Sequence, residues 1–150
     1  MPLLLFIILS STSAKALPEA ILNERISSAA TRWSLDVRLV KAVIHQESRA
    51  NTMAKSSKGA EGLMQVMPRT ADEYGIRDRR NPLDNLMGAC KYLRLLMNRY
   101  RGNLPLVLAA YNAGPKSVDR YGGIPPFAET QNYVRKVLSH YQKLKLASGP

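Results

Sequence analysis

Cysteine is almost missing from this sequence: Cys90 is the only one among 150 residues. A chain with a single cysteine cannot form an intramolecular disulfide, so the fold has to be stable without that covalent link. Cys90 shares an apolar helical stripe with Leu86, Leu93 and Met97, and no histidine lies close to it in the sequence. This pattern predicts a buried structural thiol rather than a nucleophile.

Acidic residues are also scarce, with 11 Asp and Glu against 22 Lys and Arg, which gives a formal net charge of +11. Such a charge favours an anionic partner, such as cell wall, lipid headgroups or nucleic acid. The basic residues are spread through the chain without interleaved aromatic residues or a nucleic-acid motif, so we expect no nucleic-acid partner.

The chain has no apolar run long enough to cross a bilayer as a mature anchor. The run at residues 3–9 is followed by small and polar residues and by Ala14-Lys15-Ala16, an A-x-A cleavage pattern. We therefore predict a signal peptide over residues 1–16 and a periplasmic or secreted mature protein. The alternative is an uncleaved N-terminal segment that is buried in the fold. No cysteine lies near the cleavage site, so we expect no stable membrane anchor.

Alternating strand patterns, internal repeats and low-complexity segments are absent as well. The remaining sequence, residues 17–150, predicts one mainly α domain. Proline, glycine and polar capping residues mark the expected helix ends. The expected helices cover residues 18–30, 37–47, 68–74, 82–101, 103–111, 115–121 and 130–146.

Glu47 stands out among the few acids because it falls on an apolar helix face. At about 100° per residue, Val40, Val43 and Ile44 lie on the same side of the helix as Glu47. A carboxyl group there loses water, which disfavours its charged form and should raise its pKa. An acid that stays protonated near neutral pH can donate a proton to a leaving group. The alternative is a carboxylate that reaches solvent at the helix end or pairs with Arg49.

Four sequence clusters follow one another in a fixed order. They are Gln-Glu-Ser-Arg at 46–49, Gly-Ala-Glu-Gly-Leu-Met-Gln-Val-Met-Pro at 59–68, Ala-Tyr-Asn-Ala-Gly-Pro at 110–115, and Glu-Thr-Gln-Asn-Tyr-Val at 129–134. Together they resemble the soluble lytic transglycosylase family, lysozyme-like enzymes that cut bacterial peptidoglycan. The resemblance covers residues 35–141 and implies a single helical domain with the lysozyme-like fold shared by goose-type lysozymes and transglycosylases.

The resemblance also implies roles for individual residues. Glu47 matches the catalytic acid, and the matched substrate-binding positions are Ser48, Met64, Gln65, Tyr111, Asn112, Glu129 and Tyr133. Three of these have ordinary structural alternatives: a helix-end cap for Ser48, core packing for Met64, and a charge at a helix N-terminus for Glu129. The run at residues 49–53 departs from the family pattern of a large apolar residue followed by Asn-Pro, so substrate contacts of the loop 50–58 stay open.

A second catalytic carboxylate, which common glycosidases require, has no clear candidate. Glu61 lies in a turn-like Gly-Ala-Glu-Gly stretch, where we expect a surface position. The resemblance implies a route with one acid, in which Glu47 acts twice and a 1,6-anhydromuramyl product forms. Two alternatives are a hydrolytic lysozyme of the same fold and an inactive glycan-binding assembly module.

The resemblance and the small size of the chain suggest its setting. We expect a monomer that acts on peptidoglycan glycan strands without a metal or a cofactor. Small exported members of the family suggest local wall opening for a secretion, conjugation or pilus system, whose machinery would be a further partner.

Overall fold

The computed structural model describes residues 17–149, so the signal peptide predicted for residues 1–16 lies outside the described part and stays a prediction. This part contains α1 (Glu19–Arg32), α2 (Val37–Ser48), α3 (Pro68–Tyr74), α4 (Pro82–Arg99), α5 (Leu104–Ala113), α6 (Pro115–Tyr121) and α7 (Ala128–Ala147). Within residues 17–149 the only β-structure is two isolated bridges, Lys55 to Glu61 and Glu61 to Val66. The predicted mainly α class is confirmed.

Polar capping residues start several helices where the sequence indicates. The Asp36 carboxylate accepts a hydrogen bond from the backbone N–H of Arg38 at 2.8 Å and so caps α2. Asn81 caps α4 in the same way, with Pro82 in the first turn. Helix α4 stops at Arg99, two residues before the expected end, because the next residues turn through a left-handed Arg101.

Helix α2 packs against helices from both ends of the described chain, α1 and α7. Helix α2 packs against α7, and α7 packs against α5. Helix α1 packs against α2 and α4, while α4 also contacts α3 and α5. The core at this junction contains fully buried residues of α2, α5 and α7, among them Val40, Val43, Val107, Leu108 and Val137. The C-terminal end of α2 therefore lies beside residues from two later helices.

The only cysteine, Cys90, lies in the core of this fold. Cys90 has no exposed surface, and burial raises its pKa to about 12, so the predicted structural thiol is confirmed. Between residues 17 and 149, no helix has the length and apolar character needed to cross a membrane.

Candidate active site

Glu47 lies in the last turn of α2, at the partly exposed end of the buried helix face. Val40 and Val43 have no exposed surface and Ile44 retains 3%. Glu47 continues this face but stays half-buried. The described residues contain no ion pair between Glu47 and Arg49, so the pairing alternative is not what the structure adopts.

Tyr133 of α7 holds the Glu47 carboxyl group. Its hydroxyl donates a hydrogen bond to Oε1 of Glu47 at 2.7 Å, across 86 positions of sequence. Burial of the carboxyl group raises the pKa of Glu47 to about 7, the Tyr133 hydrogen bond partly offsets this rise, and the negative charge of Glu129 adds to it. The predicted rise in pKa is confirmed, and Glu47 can exist in either protonation state near neutral pH.

Tyr111 of α5 and the loop at residues 49–67 form one hydrogen-bonded unit. The Tyr111 hydroxyl donates to the backbone carbonyl of Met64 at 2.9 Å. The Met64 backbone N–H donates to the side chain of Asn85 at 2.9 Å, and the Met64 side chain has no exposed surface. The core alternative therefore describes Met64, because a side chain without exposed surface cannot contact a sugar.

Ser48 connects α2 to the same loop. Its hydroxyl donates to the backbone carbonyl of Leu63 at 2.8 Å, and a longer contact of 3.3 Å reaches the carbonyl of Ile44. Both acceptors of the Ser48 hydroxyl among the described residues are therefore backbone carbonyl groups, and neither is the Glu47 carboxyl group. Ser48 instead fixes the loop beside Glu47, and the chain leaves α2 through the left-handed residues Arg49 and Ala50.

Gln65, Tyr111 and Asn112 meet at a cavity of about 180 Å³. The Gln65 side-chain nitrogen donates to the carbonyls of Ala54 at 3.1 Å and Gly62 at 3.0 Å. Asn112 accepts a hydrogen bond from the Thr130 hydroxyl at 2.8 Å. These bonds use the amide nitrogen of Gln65 and the amide oxygen of Asn112, so the Gln65 carbonyl and the Asn112 nitrogen are the groups that could bind a ligand with both donor and acceptor atoms.

The cavity continues into a second one of about 390 Å³ between α3 and α6. The two share Thr70, Tyr92 and Gly114, and the Tyr92 ring lies 5.7 Å from the Tyr111 ring. Two adjoining cavities with aromatic rings along them form an elongated groove, which suits an extended ligand better than a compact one.

The position of Glu61 differs from the one expected from the sequence. The predicted surface position is wrong: only 8% of Glu61 is exposed. Its carboxylate lies 3.1 Å from Arg80, 3.2 Å from Arg79 and 3.4 Å from Lys55. The hydrogen bond from Arg80, followed by the Lys55 contact and the charges of the two arginines, lowers the pKa of Glu61 against the opposing effect of burial. This acid is held ionised.

Asn85 is a buried polar residue that the sequence analysis did not single out. It has no exposed surface, accepts from the Met64 N–H, and donates to the carbonyls of Glu61 at 3.0 Å and Arg79 at 2.8 Å. Gly62 is required beside it, because a Cβ atom there would lie 2.1 Å from the Arg79 carbonyl oxygen. A signal was available, since Asn85 interrupts the apolar stripe of α4.

Comparison with known protein families shows to which family this chain belongs. The sequence profile of the Transglycosylase SLT domain family matches residues 24–134. The chain belongs to this family. The predicted resemblance is thus confirmed, and the matched part of the SLT domain contains Glu47, the 49–67 loop, Tyr111 and Tyr133.

Two curated relatives illustrate how far the similarity to this SLT domain reaches. The transglycosylase of Enterobacteria phage PRD1 is 36% identical over 127 residues, which cover 85% of this chain and 45% of the relative. Membrane-bound lytic murein transglycosylase F of Cellvibrio japonicus is 34% identical over 133 residues, which cover 80% of this chain and 27% of the relative. The chain therefore spans less than half the length of these relatives.

Two solved structures share the fold of this SLT domain. The 70 kDa soluble lytic transglycosylase of Escherichia coli superposes with a TM-score of 0.75 at 27% identity, covering 85% of this chain and 24% of that one. An inactive Glu-to-Gln mutant of lytic transglycosylase Slt from Pseudomonas aeruginosa gives a TM-score of 0.69 at 31% identity, covering 81% and 24%. The predicted lysozyme-like helical fold is confirmed.

Glu129 lies at the open side of the SLT domain site. It is in the first turn of α7, 68% of its side chain is exposed, and its carboxylate lies 3.2 Å from the ammonium group of Lys58. This ion pair joins α7 to the 49–67 loop. A substrate contact of Glu129 stays a prediction, and substrate contacts of the loop 50–58 stay open.

Proposed function

We propose that this chain is a peptidoglycan lytic transglycosylase that cleaves the β-1,4 bond between N-acetylmuramic acid and N-acetylglucosamine. One observation carries the proposal: Glu47 combines a pKa of about 7 with a 2.7 Å hydrogen bond from Tyr133. A carboxyl group with that pKa can act as an acid and then as a base at physiological pH.

The relatives support the reaction and the substrate. The names of the phage, Cellvibrio and E. coli proteins describe transglycosylases, and two of those names specify lytic activity. The name murein in the Cellvibrio relative specifies bacterial wall glycan. The inactive P. aeruginosa mutant differs by a Glu-to-Gln substitution, the same change that would remove the proton of Glu47.

In the proposed reaction, Glu47 begins protonated. It donates its proton to the bridging oxygen while the bond from that oxygen to C1 of the muramic acid breaks. The N-acetyl oxygen of the substrate stabilises the positive charge that develops at C1, as in substrate-assisted glycosidases. The Glu47 carboxylate then takes the proton of the C6 hydroxyl, and O6 bonds to C1. This closes the 1,6-anhydro ring and returns the proton to Glu47.

The state of Glu61 supports the use of one carboxyl group. The Glu61 carboxylate forms ion pairs with three basic side chains, so its charge is balanced and its oxygen atoms already have partners. An acid held ionised in this way is a poor proton donor, and its partners weaken it as a base. A transglycosylase needs no second carboxylate, because the C6 hydroxyl of the substrate replaces water.

The surrounding residues would position the reactants. Tyr133 orients the carboxyl group of Glu47, and Ser48 fixes the loop beside it. In the groove, Gln65 and Asn112 would hydrogen-bond N-acetyl groups, while Tyr111 keeps the loop in place through its bond to Met64. Glu129 would meet the substrate at the rim and raise the pKa of Glu47.

The cellular setting belongs to the same proposal. A periplasmic or secreted enzyme would reach the wall, and its basic surface favours the anionic wall. We propose that it opens peptidoglycan locally for a secretion, conjugation or pilus system, acts as a monomer, and requires neither a metal nor a cofactor. The predicted signal peptide at residues 1–16 would deliver it there.

Mass spectrometry of muropeptides tests the proposal directly. Purified sacculi are digested with the wild-type chain and with Glu47→Gln, and the soluble products are compared. The proposal requires 1,6-anhydro ends from the wild type and almost none from the variant. Reducing ends instead would identify a hydrolytic lysozyme, and wall binding without cleavage by the wild type would identify a glycan-binding module.

A further inference from the structure

Basic residues form a ridge on each of two neighbouring helices, away from Glu47. On α2, Lys41 and His45 are spaced by four residues, which places them along one side of the helix, and Arg49 follows at the C-terminal cap. On α7, Lys136 and His140 have the same spacing, and Lys143 follows three residues later. Such spacing puts like charges next to each other, which destabilises a helix unless something compensates.

The two ridges meet at a pair of histidine rings. The rings of His45 and His140 stack with centroids 4.0 Å apart and planes 9° from parallel, where α2 packs against α7. Beside them lies a cavity of about 400 Å³, called here the basic cavity. Six of its eight lining residues can carry positive charge: His45, Arg49, Arg135, Lys136, His140 and Lys143. The other two, Gln46 and Ser139, are neutral hydrogen-bonding residues.

The basic cavity differs from the other places where cations gather in this chain. Around Glu61, three basic side chains surround a carboxylate, and Lys58 and Arg99 are paired with Glu129 and Asp119. In residues 17–149, none of the six basic residues of the cavity forms an ion pair, and no acid lines it. Its positive charge is therefore not neutralised by the protein.

The electrostatics of the histidine pair agree with an uncompensated positive site. Burial lowers the pKa of His140, and the neighbouring His45 and Lys143 lower it further. Lys41 and the single acid Glu19 line the adjoining cavity, which also contains both histidines. A bound anion would reduce the repulsion among the cations and would favour protonation of the His140 imidazole ring.

We propose that the basic cavity binds a phosphate-bearing anion. The planar guanidinium groups of Arg49 and Arg135 match the geometry of phosphate oxygens, and several cations around one opening favour an anion with more than one negative charge. His45 is about 200° around α2 from Glu47, so the cavity faces away from the cleavage site. The inference is independent of the proposed function, because it uses none of the residues assigned to catalysis.

Calorimetric titration with sodium pyrophosphate at low ionic strength tests this proposal. The wild-type chain is compared with Lys136→Gln/Lys143→Gln, which removes two exposed charges from the cavity. A matched control, Arg77→Gln/Arg101→Gln, removes two exposed charges elsewhere. We expect the cavity variant to bind pyrophosphate roughly fivefold to tenfold more weakly, and the control to bind within twofold of the wild type. Thermal melting of both variants verifies that they are folded.

Vesicle sedimentation then distinguishes the source of the phosphate. Phosphatidylglycerol vesicles that bind the wild type and the control but not the cavity variant indicate a lipid headgroup. Cavity-dependent binding of pyrophosphate without cavity-dependent binding of vesicles indicates a soluble phosphate compound. The proposal is overturned if the wild type binds neither probe, or if the two variants lose binding equally, since net charge would then explain the result.

Discussion

Glu47 and Glu61 are two poorly exposed carboxyl groups of the same domain with opposite properties. Burial raises the pKa of Glu47 to about 7, and the hydrogen bond from neutral Tyr133 offsets only part of that rise. Glu61 is less exposed, yet Arg79, Arg80 and Lys55 lower its pKa. Burial alone therefore does not determine the chemistry of an acid; the charges brought to it decide whether it becomes a proton donor or a structural anion.

The two acids also differ in what their side chains hold together. The Glu61 carboxylate connects the 49–67 loop to the segment before α4, where Arg79 additionally donates to the carbonyls of Gly59 and Val66. Glu47 accepts a hydrogen bond from Tyr133 and forms no ion pair within residues 17–149. General acid catalysis requires a positioned acid whose pKa lies near the working pH, and the pKa of Glu47 meets that requirement.

The largest expected effect comes from replacing Glu47 by Gln. The variant keeps the shape of the side chain but has no proton to transfer, so release of soluble muropeptides should fall about 10³-fold. Sedimentation with insoluble peptidoglycan should show binding close to that of the wild type. Glu24→Gln, an exposed site on α1, is the matched control and should cleave normally. Residual activity within tenfold of the wild type would show that Glu47 is not the catalytic acid.

The same variant should be more stable than the wild type at alkaline pH. Because the folded pKa of about 7 exceeds the ordinary 4.5, ionisation of Glu47 destabilises the fold increasingly from pH 4.5 to 7, and fully above pH 7. Glu47→Gln should raise the free energy of unfolding at pH 8 by up to about 3 kcal/mol, and hardly at all below pH 4.5. Denaturant unfolding at the two pH values measures this difference.

Glu61→Gln should have the opposite sign in that assay. A lowered pKa means that ionised Glu61 stabilises the fold above the ordinary pKa of 4.5, and that this contribution disappears as the pH falls through the lowered value. The variant should therefore unfold at lower denaturant concentration than the wild type at pH 8. Equal shifts in the same direction for both variants would contradict the contrast between the two acids.

Removing the Tyr133 hydroxyl should have a smaller effect on rate and a clear effect on pH dependence. In Tyr133→Phe, kcat should fall roughly tenfold, since a hydrogen bond to an ionisable carboxyl group is lost. That bond lowers the pKa of Glu47, so the alkaline limb of the kcat/KM profile should move to higher pH. Tyr141→Phe on the same helix, which loses a bond to Asp36, should leave the limb unchanged.

Glu129→Gln should have the smallest effect. Its negative charge raises the pKa of Glu47, so the alkaline limb should move to lower pH by less than one unit. Since 68% of the Glu129 side chain is exposed, salt should shrink the shift. Profiles at low and high ionic strength measure both effects, and a shift to higher pH would show that Glu129 acts on the acid in another way.

The comparison of Glu47 with Glu61 also shows how much of the fold and of the site could be predicted from the sequence. The apolar spacing of α2 identified Glu47 as an unusual acid, because residues within one helix share a face through a fixed period. The order of the four sequence clusters indicated the family, and capping residues gave helix ends to within three residues. Helix periodicity and capping residues are local features of the chain, and the four clusters are short sequence motifs.

Contacts between distant segments could not be derived from the same information. The Gly-Ala-Glu-Gly sequence indicates a turn, but nothing in it shows that Arg79 and Arg80 fold back onto Glu61. The partners of Ser48 and the stacking of His45 on His140 likewise depend on tertiary packing. Local signals located the acids, whereas the fold determined their surroundings.

Carbon-detected NMR of side-chain carboxyl groups tests the central claim most directly. With ¹³C-labelled glutamate, the carboxyl shifts of Glu47 and Glu61 are followed from pH 3 to 9 in the wild-type chain, with the Gln variants for assignment. The account predicts a midpoint near 7 for Glu47 and one below 4.5 for Glu61. A Glu47 midpoint at or below 4.5 would contradict it, because an acid ionised throughout the physiological range could not donate the proton.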